Sequence, residues 1–152
     1  MSLASDARFW DRTSRKYARS AISDQAGYER TVERTRTLLR SGDRVLELGC
    51  GTGTTALRLA GDVRDYLATD VSTGMIAIAN EKHAVAPIPS LAFRAATAEA
   101  IAPEAAPFDA ALGFNYGDVG RQTGRIVARV LKGEAPGDIP VEGVQITELV
   151  VN

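Results

Sequence analysis

Cysteine and histidine occur once each in these 152 residues. The lone Cys50 excludes an internal disulfide framework and any cysteine-based zinc cluster, and the lone His83 gives no basis for a histidine-rich metal centre. No metal site is expected. Long apolar runs are also lacking: none approaches the ~20 residues of a bilayer-spanning helix, and Met1–Arg8 carries no apolar signal-peptide core. The expected compartment is therefore the cytoplasm. Nor does one sign of charge prevail, with 18 Lys and Arg against 19 Asp and Glu. A net charge of −1 creates no field that would draw in nucleic acid or an anionic membrane, so neither is expected as a partner. The one local bias, nine basic residues against five acids over residues 1–40, reads as the solvated faces of two terminal helices.

What is present is an ordinary globular composition, 45% hydrophobic and 24% charged, at the size of one domain. Residues 6–20 and 24–40 read as two helices, and Ser41-Gly42-Asp43 stops the second. Val45–Leu48 is a short apolar strand, Thr54–Ala60 a helix, Asp65–Asp70 a second strand. Ser72 caps a helix ending near His83, Leu91–Ala95 is a third strand, and Phe108–Phe114 a fourth. Asp118 caps a helix to Lys132 with Gly133 beyond it, and Val144–Val151 closes the chain as a fifth strand at a sheet edge open to a second molecule. Strands alternating with helices predict an α/β doubly wound Rossmann-like three-layer sandwich. Its mostly parallel five-stranded sheet is expected in the order 3-2-1-4-5, preceded by two helices. The ligand crevice belongs at the carboxyl ends of strands one and four, where the winding reverses.

The loop Glu47-Leu48-Gly49-Cys50-Gly51-Thr52-Gly53 falls at that crevice. Glycines there let the chain turn sharply and bring a ligand against the main chain, and the helix that follows presents free N–H groups. Asp70 ends the second strand, where a carboxylate can accept both ribose hydroxyls of a nucleoside. The glycines at 49, 51 and 53, with Thr54 next, do not make the dinucleotide G-x-G-x-x-G, and no Gly-Lys-Ser/Thr follows to make a phosphate loop. Cys50 reads as a small residue tolerated in the loop and His83 as a surface residue near a helix end. Trp10 and Tyr17 lie on one helix, where packing onto the sheet explains them nearly as well as a lid over the crevice.

The E-L-G-C-G-T-G pattern, preceded by Asp43-Arg44-Val45-Leu46, resembles motif I of the class I S-adenosylmethionine-dependent methyltransferases. Ala68-Thr69-Asp70-Val71-Ser72 with Met75 resembles that family's second-strand motif, and Phe108-Asp109-Ala110-Ala111 its fourth-strand F-D-x-V. Phe9-Trp10-Asp11…Tyr17 is similar to the ubiquinone/menaquinone-biosynthesis type. The resemblance implies S-adenosylmethionine or S-adenosylhomocysteine as cofactor. Gly49 and Gly51 would pass its methionine moiety with Glu47 supporting the loop, and Asp70 would hold the ribose. Val71 and Met75 would flank the adenine, and Tyr17 would close over the methionine carboxylate. Ala96-Thr97-Ala98 stands where the family has Gly-Asp-Ala, which leaves the backbone N–H of Ala98 for the adenine edge.

From about Tyr116 the chain resembles the C-terminal segment of an ABC transporter substrate-binding protein, carried by G-R-Q-T-G-R-I-V-A-R-V-L-K-G-E-x-P-x-D-I-P-V. This implies a single composite domain over 1–152: a methyltransferase-like part over 1–114 and a helix–strand unit over 115–152, joined near Gly113–Tyr116 and engineered in origin. The family's R-x-L-x-P-G-G segment and N-P-P-Y pattern are absent. The expected function is a cofactor-binding domain without catalysis; the alternative is an active small-molecule methyltransferase. No catalytic residue is assigned.

Overall fold

The computed structural model of the protein describes residues 3–101, 108–114 and 147–151. Two helices, α1 (Leu3–Arg19) and α2 (Gln25–Leu38), precede β1 (Arg44–Leu48). There follow α3 (Thr54–Leu59) with a 3₁₀ turn (Ala60–Asp62), β2 (Asp65–Asp70), α4 (Thr73–Val85) and β3 (Leu91–Ala95). The short helix α5 (Ala98–Ile101), β4 (Ala110–Phe114) and β5 (Thr147–Val151) complete the described elements. Residues 1–2, 115–146 and 152 and the connection 102–107 lie outside the description. So do the expected 118–132 helix and nearly all of the tail from 115 onward.

Four parallel strands run in the order β3-β2-β1-β4, with β1 between β2 and β4 through Val45↔Tyr66 and Val45↔Ala110. The winding reverses between β1 and β4, where a ligand crevice was expected. β5 lies beside β4 and runs antiparallel to it, pairing Ala110↔Val151 through Phe114↔Thr147. Simple alternation of strand and helix would have made that strand parallel. Central strands buried on both faces must be apolar throughout, and Val45, Leu46 and Ala68 are each buried. Val45 and Ala68 join one cluster with Val32 of α2, Ala56 and Leu59 of α3 and Ala60 of the 3₁₀ turn. Asp109, ahead of β4, fixes its register at the opposite end: its carboxylate accepts from the Arg44 N–H at 2.8 Å and its own N–H donates to the Arg44 carbonyl at 2.8 Å.

The Ser72 cap expected from sequence is made, Asp24 adds one that was not expected, and the Asp118 cap lies outside the described residues. Asp24 accepts the Gly27 N–H at 2.8 Å to open α2, and the Ser72 hydroxyl accepts the Met75 N–H at 3.1 Å to open α4. Two expectations change. His83 is half-buried; its Nε2 accepts the Ile88 N–H at 2.8 Å and closes the loop into β3. The aromatics of α1 do not pack onto the sheet: Phe9, Trp10 and Tyr17 are exposed and stack edge-to-face on one another.

α1 is held instead by polar contacts to the start of α4. The Asp11 carboxylate accepts from the Ser72 hydroxyl at 2.7 Å and from the Gly74 N–H at 2.9 Å, both in the positive first turn of α4. The Ser72 hydrogen bond, with the Gly74 N–H next, holds the Asp11 carboxyl below its ordinary value. A Cβ on Gly74 would stand 3.2 Å from the Asp11 backbone, so glycine sets how closely the helices approach. Arg15 adds a bidentate pair with Glu81, exposed and therefore weak. Replacing Asp11 with alanine is expected to raise amide exchange in α1 and the first turn of α4 roughly five- to tenfold. Sheet amides keep their protection. Uniform loss of protection across the sheet would show that α1 is not a separately held unit.

Candidate functional site

The crevice is built around the turn from β1 into α3, where Gly49, Gly51 and Gly53 all have positive φ (74°, 55° and 76°). Three left-handed residues in five positions explain the alternating glycines, because any Cβ there is strained. Gly53 has a further reason. A Cβ on it would lie 2.6 Å from the Phe93 ring of β3 and 3.0 Å from the Ala79 side chain of α4. It lets α3 start against the sheet, the service that the third glycine of a dinucleotide loop performs one residue later.

Hydrogen bonds from two elements hold the loop. The Gly49 and Cys50 N–H groups both donate to the Thr69 carbonyl, at 2.8 and 2.9 Å, and the Thr69 hydroxyl returns to the Glu47 carbonyl at 3.0 Å. Asp70 then takes the Gly51 N–H on Oδ2 and the Ser72 N–H on Oδ1, each at 2.9 Å. From α4, the Lys82 ammonium donates to the Thr52 carbonyl at 3.0 Å and the Thr52 hydroxyl at 2.8 Å. Partial burial lowers the pKa of that lysine. α3 is only six residues long, so the loop's own N–H groups, more than a long helix dipole, define the polar surface.

Beneath the loop, the buried Glu47 accepts the Tyr66 hydroxyl at 2.8 Å. Burial raises its carboxyl from 4.5 to about 7, the Asp70 charge adds to the rise and the Tyr66 hydrogen bond opposes it. The Tyr66 hydroxyl is pushed up by burial and by Glu47, so the tyrosine is the donor of the pair. Burial likewise pushes the Cys50 thiol up, which keeps it from acting as a nucleophile.

The other expected residues fall around this loop. The Tyr17 ring stands over Gly51, its Cε1 3.9 Å from where a Cβ would be. Val71 is half-buried after Asp70, whereas Met75 is buried in the first turn of α4 and packs inward. Ala98 opens α5 and is exposed; Thr97 just before it caps that turn by accepting the Ala100 N–H at 3.2 Å. β3 is tied to the site through the Ala96 N–H, which donates to the Asp70 carbonyl at 2.9 Å. Tyr66, Lys82 and Phe93 were not anticipated, nor was the contact of Asp11 to α4. Each meets its partner across 19 or more positions, and a local pattern carries no sign of that.

On the α2 side the loop borders a cleft of about 800 Å³, walled by the end of α1, by α2 and by Leu112 and Gly113 of β4. That volume is ordinary for a small-molecule site. Among the described residues no cluster of three His, Cys, Asp or Glu could hold a metal ion, and no helix is long and apolar enough to cross a membrane.

Residues 45–135, more than half of the chain, match the methyltransferase-domain family. The chain belongs to that family. It is 41% identical over 71 residues to a demethylmenaquinone methyltransferase of Beutenbergia cavernae, covering 47% of this chain and 28% of that protein. The chain thus spans less than a third of the length of that curated relative. Among solved structures, magnesium protoporphyrin IX methyltransferase from Synechocystis PCC 6803 with bound S-adenosylmethionine superposes with a TM-score of 0.56. The identity is 16%, over 73% of this chain and 74% of that one, which speaks to the fold alone. The S-adenosylhomocysteine complex of DhpI matches at a TM-score of 0.51 and 27% identity, over 60% of this chain and 43% of that one.

The composite reading gains nothing from these comparisons. The family match continues to residue 135, past the Gly113–Tyr116 junction and through much of the stretch read as a transporter segment.

The elevated Glu47 carboxyl makes a stability prediction. Between pH 4.5 and about 7 the unfolded chain releases this proton while the folded chain keeps it. The contribution of Glu47 is therefore full below pH 4.5 and is lost as pH rises to about 7. The loss amounts to roughly 3 kcal/mol across that window. Glu47→Gln imitates the protonated form and should flatten the dependence. Denaturant titrations of both proteins from pH 4 to 8 measure it; parallel pH profiles would refute the assignment.

Proposed function

We propose that this crevice binds S-adenosylmethionine and S-adenosylhomocysteine, and that the chain serves as a cofactor-binding methyltransferase domain without turnover of its own. One observation carries the binding reading. A strand-terminal carboxylate, Asp70, is fixed by backbone N–H groups at the mouth of a loop whose three glycines are all left-handed. The residues fit such a ligand, since the loop around Gly51 is open to main-chain contact and a tyrosine ring covers it at van der Waals range.

In this reading Asp70 keeps one lone pair of each oxygen for the ribose hydroxyls. Gly49 and Gly51 let the methionine portion pass along the backbone, and Tyr17 closes over its carboxylate. Glu47 supports the loop from below. Val71 flanks the adenine and the Ala98 N–H meets its edge, while Met75 backs that wall from inside. Bound S-adenosylmethionine supplies a methyl group on a sulfonium, and what a protein adds to its displacement is alignment and exclusion of water. The solved methyltransferases with S-adenosylmethionine or S-adenosylhomocysteine bound lend support as relatives in fold.

The absence of turnover is read from residues 116–152, which lack the family's R-x-L-x-P-G-G segment. A second reading, an active small-molecule methyltransferase, draws on the family match that continues to residue 135.

Calorimetric titration with S-adenosylhomocysteine is expected to show binding that Asp70→Ala weakens about tenfold or more. Asp70→Asn, which keeps the shape but donates a hydrogen in place of one acceptor, falls between. No binding by the parent chain at millimolar ligand would end the cofactor reading. Transfer is tested separately by following S-adenosylhomocysteine release from S-adenosylmethionine with small acids, phenols and amines as acceptors. None is expected; turnover that Gly51→Val abolishes would establish the active reading instead.

A further inference from the structure

The arginines of α2 and its neighbour α3 divide into two sets. Away from the cleft every one has an acidic partner: Arg36 bonds Asp62 at 2.8 Å and Glu33 at 2.9 Å, and Arg58 grips Glu29 through both nitrogens at 2.7 and 2.6 Å. Arg30 and Arg34 line the cleft and have no side-chain partner among the described residues. They stand at i and i+4, the spacing at which like charges on a helix repel. The two acids that share the cleft wall do not answer them. Asp24 is taken by the Gly27 N–H, and Glu47 by the Tyr66 hydroxyl. The remaining cleft cation, Lys82, is spent on Thr52 and Thr54. The cleft therefore carries excess positive charge at one place on its wall. Around it the wall mixes serines and threonines, Thr31 and Thr35 of α2 among them, with the apolar and aromatic faces of Tyr17, Ile22, Tyr28 and Leu112.

We infer that Arg30 and Arg34 are an anion-binding pair, and that the cleft receives a small aromatic or apolar acid, held by its carboxylate or phenolate beside the glycine loop. A guanidinium presents its N–H groups as a fork that matches a carboxylate, and two forks one helical turn apart can share one anion. An anion seated there also removes the repulsion between them. This assignment names the class of second ligand that would sit beside the cofactor crevice and rests on the cofactor reading of the loop. The methionine carboxylate of the cofactor shares the same chemistry, so the test separates the two sources.

The full chain, saturated with S-adenosylhomocysteine, is titrated with salicylate and in parallel with the neutral salicylamide, following ligand signals by NMR. Salicylate is expected to bind about tenfold more tightly than salicylamide, and Arg30→Gln/Arg34→Gln to erase that preference while S-adenosylhomocysteine affinity holds. Both substitutions are at exposed helix positions and relieve a like-charge pair, so the variant should melt no lower than the parent. No preference for the acid, or a preference that survives in the double variant, overturns the proposal. Loss of S-adenosylhomocysteine affinity in the double variant overturns it too, by giving the pair to the cofactor carboxylate. If the parent binds no S-adenosylhomocysteine, the cofactor reading is what fails. The salicylate comparison on the ligand-free chain then still decides the arginine pair.

Discussion

Everything at the crevice depends on how the end of β2 captures the turn leaving β1. Two consecutive residues do this, Thr69 with its carbonyl and Asp70 with its carboxylate, and between them they take the N–H groups of Gly49, Cys50 and Gly51. A loop with three left-handed glycines has more freedom to lose on folding than other loops, and water would satisfy its N–H groups equally well in many shapes. Fixing those donors to a neighbouring strand selects one shape. The same carboxylate takes the Ser72 N–H, so the entry of α4 is set by the atom group that sets the loop. Two βα turns are thereby locked to each other at the point where the sheet reverses its winding.

From that joint the rest of the site follows outward. Ser72, placed by Asp70, caps α4 and offers its hydroxyl hydrogen to Asp11, which brings α1 across the open end of the sheet. Tyr17, two turns further along α1, then arrives over Gly51 with no bond of its own to the loop. Lys82 returns from the last turn of α4 to hold Thr52. The positions of the aromatic cover and of the loop it covers thus share one origin, a carboxylate at the end of the second strand.

Much of this was legible in the residues. The four parallel strands, the cap at Ser72 and the glycine turn are local in sequence, carried by apolar runs, a side chain three positions from its donor, or glycine where only glycine fits. What was not legible joins distant positions: Asp11 to Ser72 across 61 residues, Lys82 to Thr52 across 30. Nothing in a helix sequence marks an aspartate as the anchor for another helix. His83 looked like a surface residue because its partner, the Ile88 N–H, lies in a loop whose path only the fold decides. The tail is a separate case. The capped helix, glycine stop, proline turn and strand expected there make a unit that many doubly wound folds share, so a resemblance in that stretch points to the type of unit more readily than to its origin.

The contact between Gly53 and the Phe93 ring ties the loop to the far side of the sheet. A ring from β3 fills the space that a side chain at 53 would need, and the backbone at 53 is left-handed. Positions 53 and 93 are therefore one steric unit divided between two segments. In descendants of this sequence, a side chain at 53 could appear only after the ring at 93 had shrunk, and even then the backbone would resist it. The order of those two changes is fixed by geometry, so the glycine should outlast the phenylalanine as the family diverges.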